Sequence, residues 1–237
     1  MKRIIILGAT SGIGKELAQL YAKGDNKVAI TGRRTHLLEE LKNENPNFIT
    51  RTFDITQPND IKNNLDELSN ELGGIDLLII SSGIGNINHN LDFDIEKQTV
   101  ETNVVGFTCV CDWAINYFEK QGGGQLVGIT SVAGLRGSRY APSYNASKAY
   151  QINYLEAMRQ KVTYLKIPIC ITDIRPGFVD TDMAKGEGLF WVASVAKAGK
   201  QIYKAIEKKK KIAYITKRWR FVSAIFELIP NWIYNKM

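Results

Sequence analysis

The sequence predicts a single doubly wound α/β domain of Rossmann type, built on about seven parallel strands. Three observations lead there. Residues 2–14, Lys-Arg-Ile-Ile-Ile-Leu-Gly-Ala-Thr-Ser-Gly-Ile-Gly, run a β-branched strand into a glycine-rich turn, and a helix follows over residues 15–23. Later runs such as Ile75-Asp76-Leu77-Leu78-Ile79-Ile80 and Leu126-Val127-Gly128-Ile129 are nearly continuous in apolar character, as strands covered on both faces should be. At 237 residues the chain is ample for one such domain with a full core, and nothing marks a second.

Taken in order, Gly8, Gly12 and Gly14 permit a tight turn and the close approach of backbone to a pyrophosphate, whose charge is met by the N-terminus of the next helix. Their spacing, G-x-x-x-G-x-G, differs from the G-x-G-x-x-G dinucleotide fingerprint. The second strand, residues 27–31, ends at Gly32-Arg33-Arg34, where this class of fold presents the group that meets the adenosine ribose. An acid there would bond a free 2′-hydroxyl. Arg33 and Arg34 instead offer charge-assisted, bidentate bonds to a 2′-phosphate, so NADP(H) is expected over NAD(H).

Residues 48–53 form the third strand. A helix over residues 58–72 ends at Gly73-Gly74, and residues 75–80 are the fourth strand. The polar loop 84–92 reads as a surface turn or as a border of the substrate site. Residues 95–120 make the next helix, with Asn103 inside it, and residues 126–129 the strand after it. Ser143 caps a helix running to about residue 166, followed by a strand over 169–174, a helix over 192–207 and a strand over 212–215.

Ser131, Tyr144 and Lys148 carry the candidate chemistry. Tyr144 and Lys148 are four apart, which puts phenol and ammonium on one helical face, one turn apart. A nearby ammonium favours phenolate and draws the tyrosine down towards the range where it exchanges protons near neutrality. Ser131 follows an apolar strand, so its hydroxyl sits at a strand's carboxyl end, where open α/β sheets keep their ligands.

With its glycine spacing and a serine thirteen residues before Tyr-x-x-x-Lys, the chain resembles the short-chain dehydrogenase/reductase family from residue 2 to about 183. The resemblance implies an NAD(P)-dependent oxidoreductase acting on a carbonyl/alcohol pair. It implies that Tyr144 donates the proton, Ser131 bonds the substrate oxygen, Lys148 tunes the phenol and holds the nicotinamide ribose, and Asn103 kinks its helix and holds a water that completes a relay. It further implies cofactor contacts from Gly8, Thr10, Ser11, Gly12, Ile13 and Gly14, from Asp54 and Ile55 at the adenine, and from Ser82 and Gly83. Pro176, Gly177, Val179 and Thr181 would lie beside the nicotinamide, and residues 184–191 would close over it as a lid that excludes water. Where the family ends its fourth strand in Asn-Asn-Ala-Gly, this chain has Ile80-Ser81-Ser82-Gly83. The family's habit of pairing through two long helices implies a homodimer or homotetramer. Two other readings stand beside catalysis: a non-catalytic NADP(H)-binding regulator on the same fold, and an epimerase or dehydratase, which lacks support in the glycine spacing and in the absence of a longer C-terminal substrate domain.

Composition excludes other classes. The apolar run after Lys2-Arg3 is too short for a signal peptide, and no stretch is long enough to span a bilayer. Cys109, Cys111 and Cys170 are odd in number and lack metal spacing; they are expected to be buried thiols of a reducing compartment, which points to the cytoplasm and to no metal site.

Residues 1–216 are thus the cofactor-binding domain and residues 217–237 an extension. Residues 208–237 hold eight Lys/Arg against one acid, Glu227, whereas the first 207 residues balance at 23 and 23. Within the extension Phe221, Val222, Ile225, Leu228, Ile229 and Trp232 share one helical face, with Arg220, Ser223, Glu227 and Asn231 opposite and a break expected at Pro230. That face packs on the protein's own core, or on a second subunit, or lies in the headgroups of an anionic membrane. Nucleic acid is the weaker alternative, since no recognisable module is present.

Overall fold

The computed structural model describes residues 1–184 and 190–236. One parallel sheet contains β1 (Arg3–Leu7), β2 (Lys27–Gly32), β3 (Phe48–Thr52), β4 (Leu77–Ile80), β5 (Gly124–Ile129), β6 (Ile169–Pro176) and β7 (Ile212–Ile215), in the order β3-β2-β1-β4-β5-β6-β7. It is a Rossmann-type sheet, and its order reverses between β1 and β4, the switch point outside which such sheets bind ligands.

Side chains of β1 alternate between two cores, as period-two geometry requires. Ile4 and Ile6 face a layer formed with α1 (Gly12–Ala22), α2 (Thr35–Glu44) and α7 (Val195–Glu207). Ile5 and Leu7 face the other, formed with α3 (Pro58–Leu72), α5 (Phe107–Gln121) and α6 (Pro142–Tyr164). All four are fully buried, each contributing on the order of 1.5–3 kcal/mol. The central strands therefore hold the loops at their carboxyl ends in place.

Several boundaries differ from the sequence reading, each for a visible reason. The first helix starts at Gly12 rather than residue 15, because the Lys15 N–H already bonds back to the Ser11 carbonyl at 3.2 Å across the end of the glycine loop. β4 starts at Leu77 because Ile75 donates its N–H to Gln121 Oε1 and Asp76 is drawn to Arg3, accepting at 2.8 Å from its N–H and at 2.7 Å from its guanidinium. The predicted helix 95–120 is α4 (Phe93–Val100), a π-helical turn (Glu101–Gly106) and α5 in succession. Helix α7 begins at Val195, capped by Ser194, since Ala193 is committed to backbone bonds with Phe178 and Asp180. Of the cysteines expected to be buried, Cys111 is, while Cys109 and Cys170 are only half-buried and all three are free.

The extension is α8 (Trp219–Leu228) and α9 (Asn231–Tyr234), with the break at Pro230. Of the fates left open for the apolar stripe, packing on the protein's own core is not the one adopted: Trp219 and Ser223 turn inward and are buried, while Phe221, Ile225 and Leu228 are exposed. Among the described residues no helix is long and apolar enough to cross a membrane.

Candidate active site

The glycine loop leaves β1 with Gly8 at φ +78°, and a side chain there would come within 2.5 Å of the Ser82 backbone nitrogen. A Cβ on Gly14 would lie 2.1 Å from the Gly8 carbonyl. Glycine at position 8 thus lets the loops after β1 and β4 come together, and glycine at position 14 lets helix α1 fold tightly onto its own loop. Helix α1 has no side-chain cap at Ser11 and no acid in its first turn, leaving the amides of Gly12, Ile13 and Gly14 and the positive end of the helix open to an anion. Thr181 reaches across from the loop after β6; its methyl would stand 3.1 Å from a Cβ at Gly12.

At the end of β2, Arg34 folds back over this loop and donates to Thr10 Oγ1 at 2.7 Å and to Ser11 Oγ at 2.8 Å. Arg33 pairs loosely with Asp54, at 3.5 Å, and stays largely exposed. Asp54 also accepts the Thr56 N–H at 2.9 Å, which fixes the turn carrying Ile55. The Ile55 carbonyl lies where a Cβ on Gly106 would be, 2.3 Å away, so Ile55 is seated against the π turn. Among the described residues two hydroxyls meet the Arg34 guanidinium here, and the neighbouring Arg33 guanidinium is paired only loosely, with Asp54. This set fits a phosphate monoester on the ribose better than a free diol.

Catalytic candidates converge on the switch point's far side. Ser131 ends β5 and starts a 3₁₀ turn (Val132–Leu135); its hydroxyl accepts the Ala133 N–H at 3.0 Å and donates to the Pro176 carbonyl at 3.4 Å. Tyr144 and Lys148 lie in the first turns of α6. The Tyr144 ring packs against the Cα of Gly85, where a side chain would clash at 2.6 Å. Loop 84–92 therefore borders the site rather than forming an ordinary surface turn. Ser143 does not cap α6: Ala141 holds that position, Pro142 opens the helix, and Glu96 of α4 accepts the Ser143 N–H at 3.0 Å.

Two expectations change on contact with geometry. Burial raises the Tyr144 phenol above its ordinary value, with the Ser131 hydroxyl pulling the other way. The Lys148 ammonium is 5.8 Å from the Tyr144 ring centroid and points instead at the Ile129 carbonyl, 3.1 Å, and Gln151 Oε1, 3.0 Å. It is itself pushed down to about 8 by burial, opposed by the charge of Asp173. The lysine, more than the tyrosine, is thus poised near neutrality.

Asn103 is fully buried in the π turn. Its amide accepts the Ile84 N–H at 2.9 Å and donates to the Ile84 carbonyl at 2.7 Å and to Ser147 Oγ at 3.0 Å. Both donor hydrogens are committed, so the side chain clamps the loop after β4 rather than meeting Lys148. The link to Lys148 runs through Gln151, whose Nε2 donates to the Asn103 carbonyl at 2.8 Å while its Oε1 receives the ammonium. Sequence reading missed Gln151. It lies three residues after Lys148 and seven after Tyr144, on the same helical face, and that spacing was the available signal.

Gly177 gives its open side to Trp219, whose indole would be 2.0 Å from a Cβ there, while Pro176 accepts from Ser131 and Val179 is buried. Phe178 and Phe190 pack edge-on and tilted against the same indole at 5.4 and 5.2 Å. The rest of the predicted lid, residues 185–189, lies outside the described residues.

Burial of Lys148 has a measurable consequence. The unfolded chain binds this proton up to a pH of about 10.4 while the fold releases it near about 8, so between these values stability rises with pH. Relative to Lys148→Met, the wild type should therefore gain roughly 3 kcal/mol of unfolding free energy across that window. Urea titrations of both proteins at both ends of the window check it; a pH-independent difference would show an ammonium as well solvated as in the unfolded chain.

A family model described as short chain dehydrogenase matches residues 2–189. An uncharacterized oxidoreductase of Mycobacterium tuberculosis is 32% identical over 218 residues, covering 88% of this chain and 85% of its own. Human 3-oxoacyl-[acyl-carrier-protein] reductase is 28% identical over 184 residues, 76% of either chain. Among solved structures, a variant of actinorhodin polyketide ketoreductase with NADPH superposes with a TM-score of 0.71 at 27% identity, covering 77% of this chain and 72% of that one.

Proposed function

The chain belongs to the short chain dehydrogenase family of NAD(P)-dependent oxidoreductases, and from that premise we propose that it reduces a ketone to a secondary alcohol with NADPH, or runs the reverse oxidation. The observation that carries this reading is the meeting of Ser131, Tyr144 and Lys148 beside Gly83 and Gly85. A Cβ on Gly83 would be 3.5 Å from Lys148 Nζ, so bare backbone is what borders the ammonium there.

Bound NADPH supplies the hydride. Tyr144 gives its phenolic proton to the carbonyl oxygen, and Ser131 donates a hydrogen bond to that oxygen as charge develops on it. Lys148, which titrates at about 8, would return a proton to the phenolate once it turns from the Ile129 carbonyl and Gln151 towards the ring, and would there bond the nicotinamide ribose. Asn103 holds the loop wall and Gln151 holds the lysine in line. Gly8, Gly12, Ile13 and Gly14 take the pyrophosphate, Asp54 and Ile55 border the adenine, and Ser82 and Gly83 pass beside the ribose. Pro176, Gly177, Val179 and Thr181 border the nicotinamide carboxamide. Thr10, Ser11, Arg33 and Arg34 bind the 2′-phosphate. Self-association through α5 and α6 gives a dimer or tetramer; light scattering at micromolar concentration reads it.

The activity test is oxidation of NADPH at 340 nm with ketosteroids, sugar ketones, quinones and β-ketoacyl thioesters. No turnover with any carbonyl class, at verified cofactor binding, would count against catalysis. The cofactor assignment has its own test, calorimetric titration with both nucleotides. NADPH should bind more tightly than NADH, and Arg33→Ala or Arg34→Ala should remove roughly 1–3 kcal/mol of that preference, the worth of hydrogen bonds to charged groups. Equal affinity for the two nucleotides sinks it.

A further inference from the structure

We propose that the outward stripe of the C-terminal helices docks on an anionic phospholipid surface and sets the wall of the active site against the bilayer. Helix α8 is held inward by Trp219 and Ser223, whereas Phe221, Ile225 and Leu228, at i, i+4 and i+7, are 74%, 59% and 81% exposed. Beyond Pro230, Trp232 adds a further side chain that is 69% exposed. A helix whose apolar side is settled on its own core does not leave a Phe, an Ile and a Leu of one face in water. A continuous patch of this kind marks a binding surface. Phe190 and Trp191, both about half exposed, lie at the N-terminal end of α8 in aromatic contact with Trp219.

Charge selects the occupant. Residues 208–237 carry eight Lys/Arg and one acid, and the other 207 residues carry 23 of each, so the whole net charge of +7 is gathered in this segment. Lys217, Arg218, Arg220 and Lys236, which flank the stripe, are exposed. A second copy of the chain would set one such charge against another, whereas anionic headgroups complement it. A short basic helix with Phe and Trp on its outer face lies in the headgroup plane rather than crossing it.

The same element is attached to the catalytic machinery. Arg136, just after the 3₁₀ turn that Ser131 begins, donates to the carbonyls of Phe226 and Ile229 at 3.1 and 3.0 Å and stacks on the Tyr234 ring, 4.1 Å from its centroid. Trp219 covers Gly177. For the carbonyl reduction proposed above, on which this last step rests, the substrate is then a lipophilic carbonyl compound taken from the bilayer.

The test is co-flotation of the full chain with vesicles of phosphatidylcholine alone and of phosphatidylcholine mixed with phosphatidylglycerol, without cofactor or substrate, so that it stands or falls apart from the catalytic reading. The wild type should float with the anionic vesicles at low salt, and release at high salt. The variant carrying Phe221→Ser, Ile225→Ser and Leu228→Ser should lose about tenfold or more of that partition with an unchanged thermal unfolding curve. Lys217→Glu with Arg220→Glu leaves the apolar stripe intact and should weaken binding as well, which keeps the proposal decidable if the serine variant fails to fold. Equal partition onto neutral vesicles, or none onto either, overturns it. So does sedimentation showing that the serine variant falls from oligomer to monomer while the wild type ignores lipid, which assigns the face to a second copy.

Discussion

Tyr144→Phe is expected to lower turnover by about 10² or more, the scale of general acid catalysis, while leaving the fold and the affinity for the nicotinamide cofactor nearly unchanged. The fold should tolerate it because the ring, not the hydroxyl, packs on Gly85. In the proposed mechanism the phenol is the proton donor, being the acidic group that bonds Ser131 in this wall of the site. Burial raises its pKa, so at neutral pH it is a proton donor rather than a phenolate, the form that reduction of a ketone needs. In the oxidation direction the same group must first lose that proton, and in the proposed mechanism Lys148, held at about 8, takes it after turning from the Ile129 carbonyl and Gln151. Oxidation should therefore strengthen with rising pH through that region while reduction does not. Steady-state rates in both directions over a pH series, for wild type and variant, check this. Near-full activity of Tyr144→Phe on any substrate of the wild type would remove the phenol from the mechanism.

What the sequence made legible was whatever depends on local pattern. The strands of the sheet, the helix after the glycine loop and the break at Pro230 follow from apolar runs and from glycine and proline chemistry, and they stand where those cues put them to within a few residues. The tyrosine and lysine share a helical face because four-residue spacing imposes it. What remained hidden were pairings between residues far apart in the chain. Nothing local says that Glu96 rather than Ser143 caps α6, since the two are 47 positions apart. Nor does anything near Asn103 reveal that its amide is spent on Ile84, or anything near Lys148 that it turns to Ile129. The amphipathic reading of residues 217–237 found the apolar stripe but left its direction open, because the inward face is fixed by the indole of Trp219 filling the space left by the distant Gly177.

Asp173→Ala should be the most destabilising single change near the site, at about 3–5 kcal/mol, the cost of stranding one partner of a buried ion pair. Asp173 on β6 is fully buried, and Arg175 beside it is 8% exposed. One carboxylate oxygen accepts from Arg175 Nε at 2.7 Å and the other from Thr130 Oγ1 at 2.6 Å, and Arg175 reaches on to the Tyr214 hydroxyl at 3.1 Å. Burial works against the Arg175 charge, and the neighbouring carboxylate outweighs it. Removing that carboxylate leaves a guanidinium in a low-dielectric pocket with one neutral partner. For a domain whose whole stability is on the order of 5–15 kcal/mol, the loss is a large fraction. Replacing both groups, as in Asp173→Leu with Arg175→Met, should cost far less, because a buried pair exchanged for apolar side chains of similar size is often near neutral. The carboxylate also has a reach into the site, for its charge is what holds Lys148 up against burial. Asp173→Ala should therefore move the Lys148 titration to lower pH and carry the pH profile of oxidation with it, an effect that loss of stability alone does not produce. Urea unfolding of the two variants and a pH series on the folded fraction of the first decide between these terms of stability and charge. A loss under about 1 kcal/mol would show that water reaches the pair and that the network is a surface one.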